Sequence, residues 1–297
     1  FAQGPLAEYP GNAVLESRTL DLSEFSNGRT VYVGLRRSLP GEANAQVFEK
    51  LADASRTEAR FAVLADAEVV ADRMGNSPEA RLRPMSYVLR LFWEDELEHL
   101  SAYELLPIAR LELDGDRARY AARYTPPCVN LAASPVLMQT LREVRDELAG
   151  RARQLEVYKQ PAESRRGDVD GTHINRLMAL AVLNRYGPLL THYLETPQLS
   201  PWHLYGSLRQ LVGELSLFSD RCDMLGQTPD GRALVPAYKH EEAGAAIIAL
   251  VSLIAQQLNE ITIGSELLVR LQMQDGLYQA QLPEDFFGPR HRYFLMA

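Results

Sequence analysis

Ser134-Pro135-Val136-Leu137-Met138-Gln139-Thr140-Leu141-Arg142-Glu143-Val144-Arg145-Asp146-Glu147-Leu148 marks the place where this chain changes from one kind of structure to another. Serine before proline is a helix start. The serine oxygen accepts an unpaired N–H of the first turn, and proline at the first helical position has no N–H to leave unpaired. Leu137, Leu141, Val144 and Leu148, extended by Leu155, recur at spacings of four, three, four and seven, which lines one face of an α-helix. Arg142, Glu143, Arg145, Asp146 and Glu147 fall on the opposite, solvated face. Leu137, Leu141, Val144 and Leu148 are therefore the candidate contact positions, either in the chain's own core or against a neighbouring copy.

Downstream, the helical period continues. A polar break over 161–171 precedes a second helix with Ile174, Leu177, Met178, Ala181, Tyr186, Leu189, Leu190 and Tyr193 as its apolar positions. Ser200-Pro201 repeats the serine–proline start, and Leu204, Leu208, Leu211, Val212, Leu215 and Phe218 form a third stripe. A fourth helix, expected over about 241–261, is apolar around much of its circumference, as in a helix buried on more than one side. Four successive helices imply a bundle.

Upstream, the period is two. Residues 18–22, 30–35, 87–93, 104–113 and 117–123 read as strands, with Ser26-Asn27-Gly28 and Asp114-Gly115 as turns. The polar stretches 36–57 and 73–84 read as long surface loops suited to touching a partner. After the fourth helix, strands are expected again at 267–273, 278–282 and 293–296, with a turn at Asp275-Gly276. The first residue is Phe1 and the last five, 293–297, are apolar and strand-like, so the chain reads as an internal piece of a longer protein.

Composition narrows the function classes. Of 297 residues, 46% are apolar and 24% charged, which is ordinary globular composition. The 31 basic residues against 39 acidic ones leave a net charge of −8, which disfavours nucleic-acid and anionic-membrane binding. Cys128 and Cys222 cannot build a disulfide framework, and a reducing compartment fits them. The longest uninterrupted apolar run, 244–255, is shorter than the ~20 residues of a membrane span, so no membrane insertion is expected.

The search for chemistry finds little. No two of the six histidines stand three or four apart, so a helical metal site is not indicated. Phosphate loops, GxGxxG and nucleophile elbows are absent. The acidic run Glu94-Asp95-Glu96 with Glu98 reads as a solvated loop closing a strand, its alternative being carboxylate catalysis. Cys222 reads as partly buried, and Trp93 and Trp202 as core residues. No enzyme, cofactor or metal is expected, and an assembly component fits best.

Four segments carry a resemblance. Leu106-Pro107-Ile108-Ala109-Arg110-Leu111 with Tyr124-Thr125-Pro126-Pro127-Cys128-Val129-Asn130-Leu131-Ala132-Ala133-Ser134-Pro135-Val136-Leu137 comes first. Leu199-Ser200-Pro201-Trp202-His203-Leu204-Tyr205 with Leu211-Val212-Gly213-Glu214-Leu215 follows. Val235-Pro236-Ala237-Tyr238-Lys239-His240-Glu241 and Arg290-His291-Arg292-Tyr293-Phe294-Leu295 complete the set. In this order they resemble the type VI secretion baseplate family that includes TssK, ImpJ and VasE. Ser200 stands where members carry histidine, and the family's opening segment and most of its head are missing. The resemblance implies a multidomain α+β protein: a β-sandwich shell over 1–130, a four-helix bundle over 131–262, and the start of a C-terminal head over 263–297. It further implies a cytoplasmic homotrimeric adaptor between the wedge proteins TssF and TssG and the membrane complex of TssM and TssL. The alternative is a receptor-binding or shoulder protein of a phage or other contractile tail.

Overall fold

The computed structural model describes residues 6–21, 28–72, 74–75, 78–159, 171–262, 272–274 and 277–281. The chain divides into two compact units, Phe1–Pro127 and Cys128–Ala297.

The first unit is built on one mixed seven-stranded sheet. Its strands are β1 (Ala13–Leu15), β2 (Arg29–Arg36), β3 (Ala45–Phe48), β4 (Phe61–Leu64), β7 (Met85–Trp93), β8 (Tyr103–Asp114) and β9 (Arg117–Tyr120). The order is β3-β4-β7-β2-β8-β9, and β1 lies parallel to β7 over Ala13↔Tyr87 to Leu15↔Leu89. A separate two-stranded ribbon pairs β5 (Glu68–Val70) with β6 (Ala80–Leu82). The described residues of this unit thus form one large sheet and a ribbon, and a second large sheet is not among them.

The Asp114-Gly115 signal lies at a hairpin. The pair Asp114↔Arg117 closes it, leaving Gly115 and Asp116 as a two-residue loop. Gly115 has φ +62°, the left-handed value that both tight hairpin turns demand at this position. On its other side β8 pairs with β2, and the register shifts between Val31 and Tyr32, where Pro107 faces Tyr32. A proline cannot donate to the ladder, and a bulge beside it accommodates that loss.

Three expectations change here. Residues 18–21 are not a strand, and the short β1 precedes them. The expected loop 36–57 contains β3 and a 3-10 turn, Leu51–Arg56. The expected loop 73–84 contains β6. These strands are three or four residues long and pair with distant segments, so local alternation does not reveal them. The turn residues Ser26 and Asn27 lie outside the described residues.

The second unit holds α1 (Pro135–Leu155), α2 (Gly171–Glu195), α3 (Pro201–Leu215) and α4 (Ala243–Thr262). Both serine–proline starts are helix caps. Ser134 Oγ accepts from Leu137 N at 3.2 Å, and Ser200 Oγ from Trp202 N at 3.4 Å. Helix α1 packs on α2 and α4, α2 on α3, and α3 on α4, all around one continuous apolar core. Polar links stitch the helices together. Arg151 Nη2 donates to Asn259 Oδ1 at 2.6 Å, and Gln257 Nε2 to Val212 O at 3.1 Å.

Residues His240–Ile261 are long and apolar enough to cross a membrane, although the uninterrupted run within them is not. Here Ile247, Leu250, Leu253, Ile254 and Leu258 are buried in the shared core, as in the central helix of a globular unit. The polar break 161–170 and the stretches 263–271 and 282–297 lie outside the described residues. Within the tail, β10 (Gln272–Gln274) and β11 (Leu277–Gln279) pair antiparallel on either side of the expected Asp275-Gly276 turn.

Candidate interaction surfaces

Leu137, Leu141, Val144 and Leu148 are 0–5% exposed in the single chain and belong to the core that α1 shares with α2 and α4. Arg142, Glu143, Asp146 and Glu147 point outward on the opposite side. The stripe that the sequence singles out is thus covered by the chain's own helices.

The acidic run adopts a 3-10 turn, Glu94–His99, at the end of β7. Its carboxylates do more than solvate a loop. Both oxygens of Glu96 accept from the Arg18 guanidinium at 2.6 Å, and one also accepts from Trp93 N at 2.8 Å. Glu94 accepts from Thr30 N at 3.1 Å, and Asp95 faces Arg29 at 3.4 Å. The guanidinium carbons of Arg18 and Arg29 stand 5.2 and 5.9 Å from the Trp93 ring centre. The turn is a clasp holding the segment before β2 to the sheet. Hydrogen bonding to Arg18 holds the Glu96 carboxyl below the usual carboxylate range, against the opposing pull of burial. A carboxylate held ionised by a guanidinium is poorly placed for acid–base catalysis near neutrality.

That shift has a pH signature. A group whose folded pKa is depressed stabilises the fold above its unfolded pKa, about 4.3 for glutamate, and the gain is lost as pH falls through the folded value. Glu96→Gln should therefore lower the urea midpoint at pH 7 and leave it less sensitive to acid below about pH 4 than that of the parent.

The other sequence candidates settle into structural roles. Cys128 and Cys222 are buried free thiols. Burial pushes both thiols up, with Asp223 and Glu260 adding to the effect at Cys222, so both stay protonated and unreactive. Tyr238 Oη pairs with His240 Nδ1 at 2.8 Å, and no group of three or more metal-ligating side chains occurs among the described residues. Trp93 is 8% exposed, but Trp202 is 58% exposed and edge-on to His203, so it is not a core residue. Trp202 falls one position off the buried stripe of Pro201, Leu204, Tyr205 and Leu208.

Sequence periodicity also misplaces the inner face of α2. Ile174, Leu177 and Met178 are 44, 36 and 43% exposed, and Ala181 is exposed too. The residues that face inward are Ala179, Leu180, Val182, Leu183, Tyr186 and Leu190. The reason is length. Glu214, at the end of the 15-residue α3, receives Arg185 at 2.6 Å and the Tyr186 hydroxyl at 2.9 Å. The 25-residue α2 runs on past that level, and its first turns have no α3 beside them. Burial and the Glu214 carboxylate raise the Tyr186 hydroxyl well above its ordinary range, so it is a hydrogen-bond donor at neutral pH.

Leu217, Met224 and Leu225 are also exposed, at 64, 74 and 53%. In the first unit, an open hollow is lined by Arg110, Glu112, Ala121, Ala122, Arg123 and Tyr124. Large apolar side chains thus face outward in both units.

Comparison with known proteins gives this pattern a context. The chain is similar to solved chains titled as TssK. One, a crystal structure of TssK, is 25% identical with a TM-score of 0.63, over 78% of this chain and 51% of that one. A chain of a TssK-TssF-TssG baseplate subcomplex is 23% identical with a TM-score of 0.60, over 79% of this chain and 68% of that one. A chain of a type VI secretion baseplate complex is 24% identical with a TM-score of 0.68, over 87% of this chain and 78% of that one. This chain thus spans from about half to about four fifths of the length of these relatives. No curated protein sequence matches it. The sequence profile of the family described as bacterial type VI secretion, VC_A0110, EvfL, ImpJ, VasE matches residues 1–297. By that match over every residue, the chain belongs to this family and is a TssK-like baseplate protein of the type VI secretion system.

Proposed function

We propose that the protein is a non-catalytic structural adaptor of the baseplate, a homotrimer on the cytoplasmic side that joins the TssF/TssG wedge to the TssM/TssL membrane complex. The family match over the whole chain carries this reading, and a relative solved as a TssK-TssF-TssG subcomplex supports the choice of wedge partners. In this reading 1–130 is the shell, 131–262 the four-helix bundle and 263–297 the beginning of the head. An adaptor of this kind works by holding two binding surfaces at a fixed separation. Helices of 15 to 25 residues packed around one core resist bending, whereas a loop linker would not. Trimerisation would convert weak single contacts into avidity through effective concentration.

The test is direct. The purified chain should scatter light as a particle of three 33.3 kDa subunits and should co-elute with TssF and TssG from the same organism. A monomer at micromolar concentration that ignores both proteins would overturn the reading.

A further inference from the structure

Strand β3 ends one side of the large sheet, and its outer edge is open. Phe61 N donates to Asn44 O at 2.9 Å and Ala65 N to Phe48 O at 2.8 Å, so Asn44, Gln46 and Phe48 turn their main-chain groups toward β4. Main-chain groups along a strand point to its two sides in alternation, so Ala45 and Val47 present their N–H and C=O to the opposite side. Among the described residues no strand lies on that side, and both residues are exposed.

The same edge is held in extended form. Asn44 Oδ1 accepts from Leu39 N at 3.1 Å, and Asn44 Nδ2 donates to Leu39 O at 3.0 Å, which fixes the entry to the strand. On one face of β3, Gln46 accepts from the Thr57 hydroxyl and Phe48 packs on the small core of Ala54, Ala62 and Val88. On the other face Val47, Val63 and Met85 stand in one cross-strand row, with Val47 and Met85 each 55% exposed. An added strand would find its hydrogen-bonding partners already in place and an apolar row to continue.

The chemistry of the edge selects the occupant. Residues 43–48 carry no charge and no proline, and their pairing to β4 has no bulge, so the usual devices that repel a further strand are missing. At the other end of the sheet, β9 carries Arg117 and Arg119 within four residues. A copy of this chain offering β9 would bring both arginines to an edge that has no carboxylate between Ala43 and Phe48. A copy offering β3 would make a two-fold contact, which links three-fold particles into larger ones instead of closing them. An uncharged extended segment of a different protein meets neither obstacle. Four residues of edge fall far short of the ~800 Å² per partner of a stable interface, so the added strand is one element of a wider contact.

We propose that the open edge of β3 takes an uncharged, extended segment of the TssF/TssG wedge as an added strand, paired to the main chain of Ala45 and Val47. This rests on the adaptor reading above, and among the partners in that reading the wedge is the one with which a relative was solved. The experiment combines the full chain with purified TssF–TssG and follows hydrogen exchange at single amides, binding, and oligomeric state by light scattering. In the free chain the Ala45 and Val47 amides should exchange faster than those of Gln46 and Phe48, and in the complex all four should be slow. Val47→Pro removes an outward N–H without touching the pairing to β4, and Val47→Lys sets a charge on the edge. Both should bind the wedge at least tenfold more weakly, with unchanged melting and oligomeric state. Tyr120→Lys, at a 75% exposed position of β9, should bind like the parent. If the parent binds but its Ala45 and Val47 amides still exchange fast in the complex, the added strand is overturned and the adaptor reading stands. Parent-like binding by both Val47 variants has the same meaning. If either variant changes the oligomeric state of the chain alone, the edge is a contact between copies and the proposal falls. If the parent does not bind the wedge at all, the adaptor reading fails and the added strand with it.

Discussion

Leu148→Ala is expected to lower the unfolding free energy of the helical unit by about 3 kcal/mol, within the 2–5 kcal/mol typical of large-to-small changes in a packed core. Leu148 is fully buried on α1, in the core shared with α2 and α4, so the substitution removes contacts that its neighbours cannot restore by small shifts. Chemical denaturation followed by helical circular dichroism reads the effect directly. The same measurement distinguishes the two roles open to the α1 stripe. If Leu148 serves the chain's own core, the loss is independent of protein concentration. If it served a contact between copies, the unfolding midpoint would shift with concentration and the single chain would be little affected. Burial within one chain favours the first outcome, and a concentration-dependent loss would contradict it.

Trp93→Ala should be comparably severe for the sheet unit, at about 3–5 kcal/mol. Trp93 is at the end of β7 opposite Val31 of β2, and its ring lies under the Arg18 and Arg29 guanidiniums. Alanine would leave a cavity and remove the surface on which both cations rest, each such contact being worth about 0.5–1 kcal/mol. Hydrogen exchange should then accelerate in β2, β7 and β8 while α1–α4 keep their protection. Equal loss of protection in both units would show that they unfold as one, against the two-unit description. The exposed Trp202 serves as the comparison, because its replacement by alanine should leave stability within about 0.5 kcal/mol.

Much of this fold was legible in short windows. Ser134-Pro135 and Ser200-Pro201 announce helix starts because a cap acts on N–H groups two or three residues away. Asp114-Gly115 announces the β8–β9 hairpin for the same reason, since a two-residue turn is a local conformational requirement. The α1 and α3 stripes were also readable, because their buried positions recur at helical spacing along a single face. Helix α2 was not, because it is apolar on more than one side. Which side counts as inside depends on where α3 stops, and that is a property of another segment.

The candidate surfaces divide in the same way. The acidic run Glu94–Glu98 was visible as composition, but its role as a clasp depends on Arg18 and Arg29, which are more than sixty residues away in the chain. The exposure of Met224 and Leu225 gave no sequence signal, since two apolar residues in a loop resemble any other two. The sequence by itself determined the family, the division into a β-rich and a helical part, and the helix caps and hairpin, all of which rest on interactions between near neighbours. Only the tertiary structure decided strand order, the inner face of α2, the fate of the acidic run and which apolar groups remain exposed. Those depend on pairing between distant segments, whose geometry no local pattern encodes.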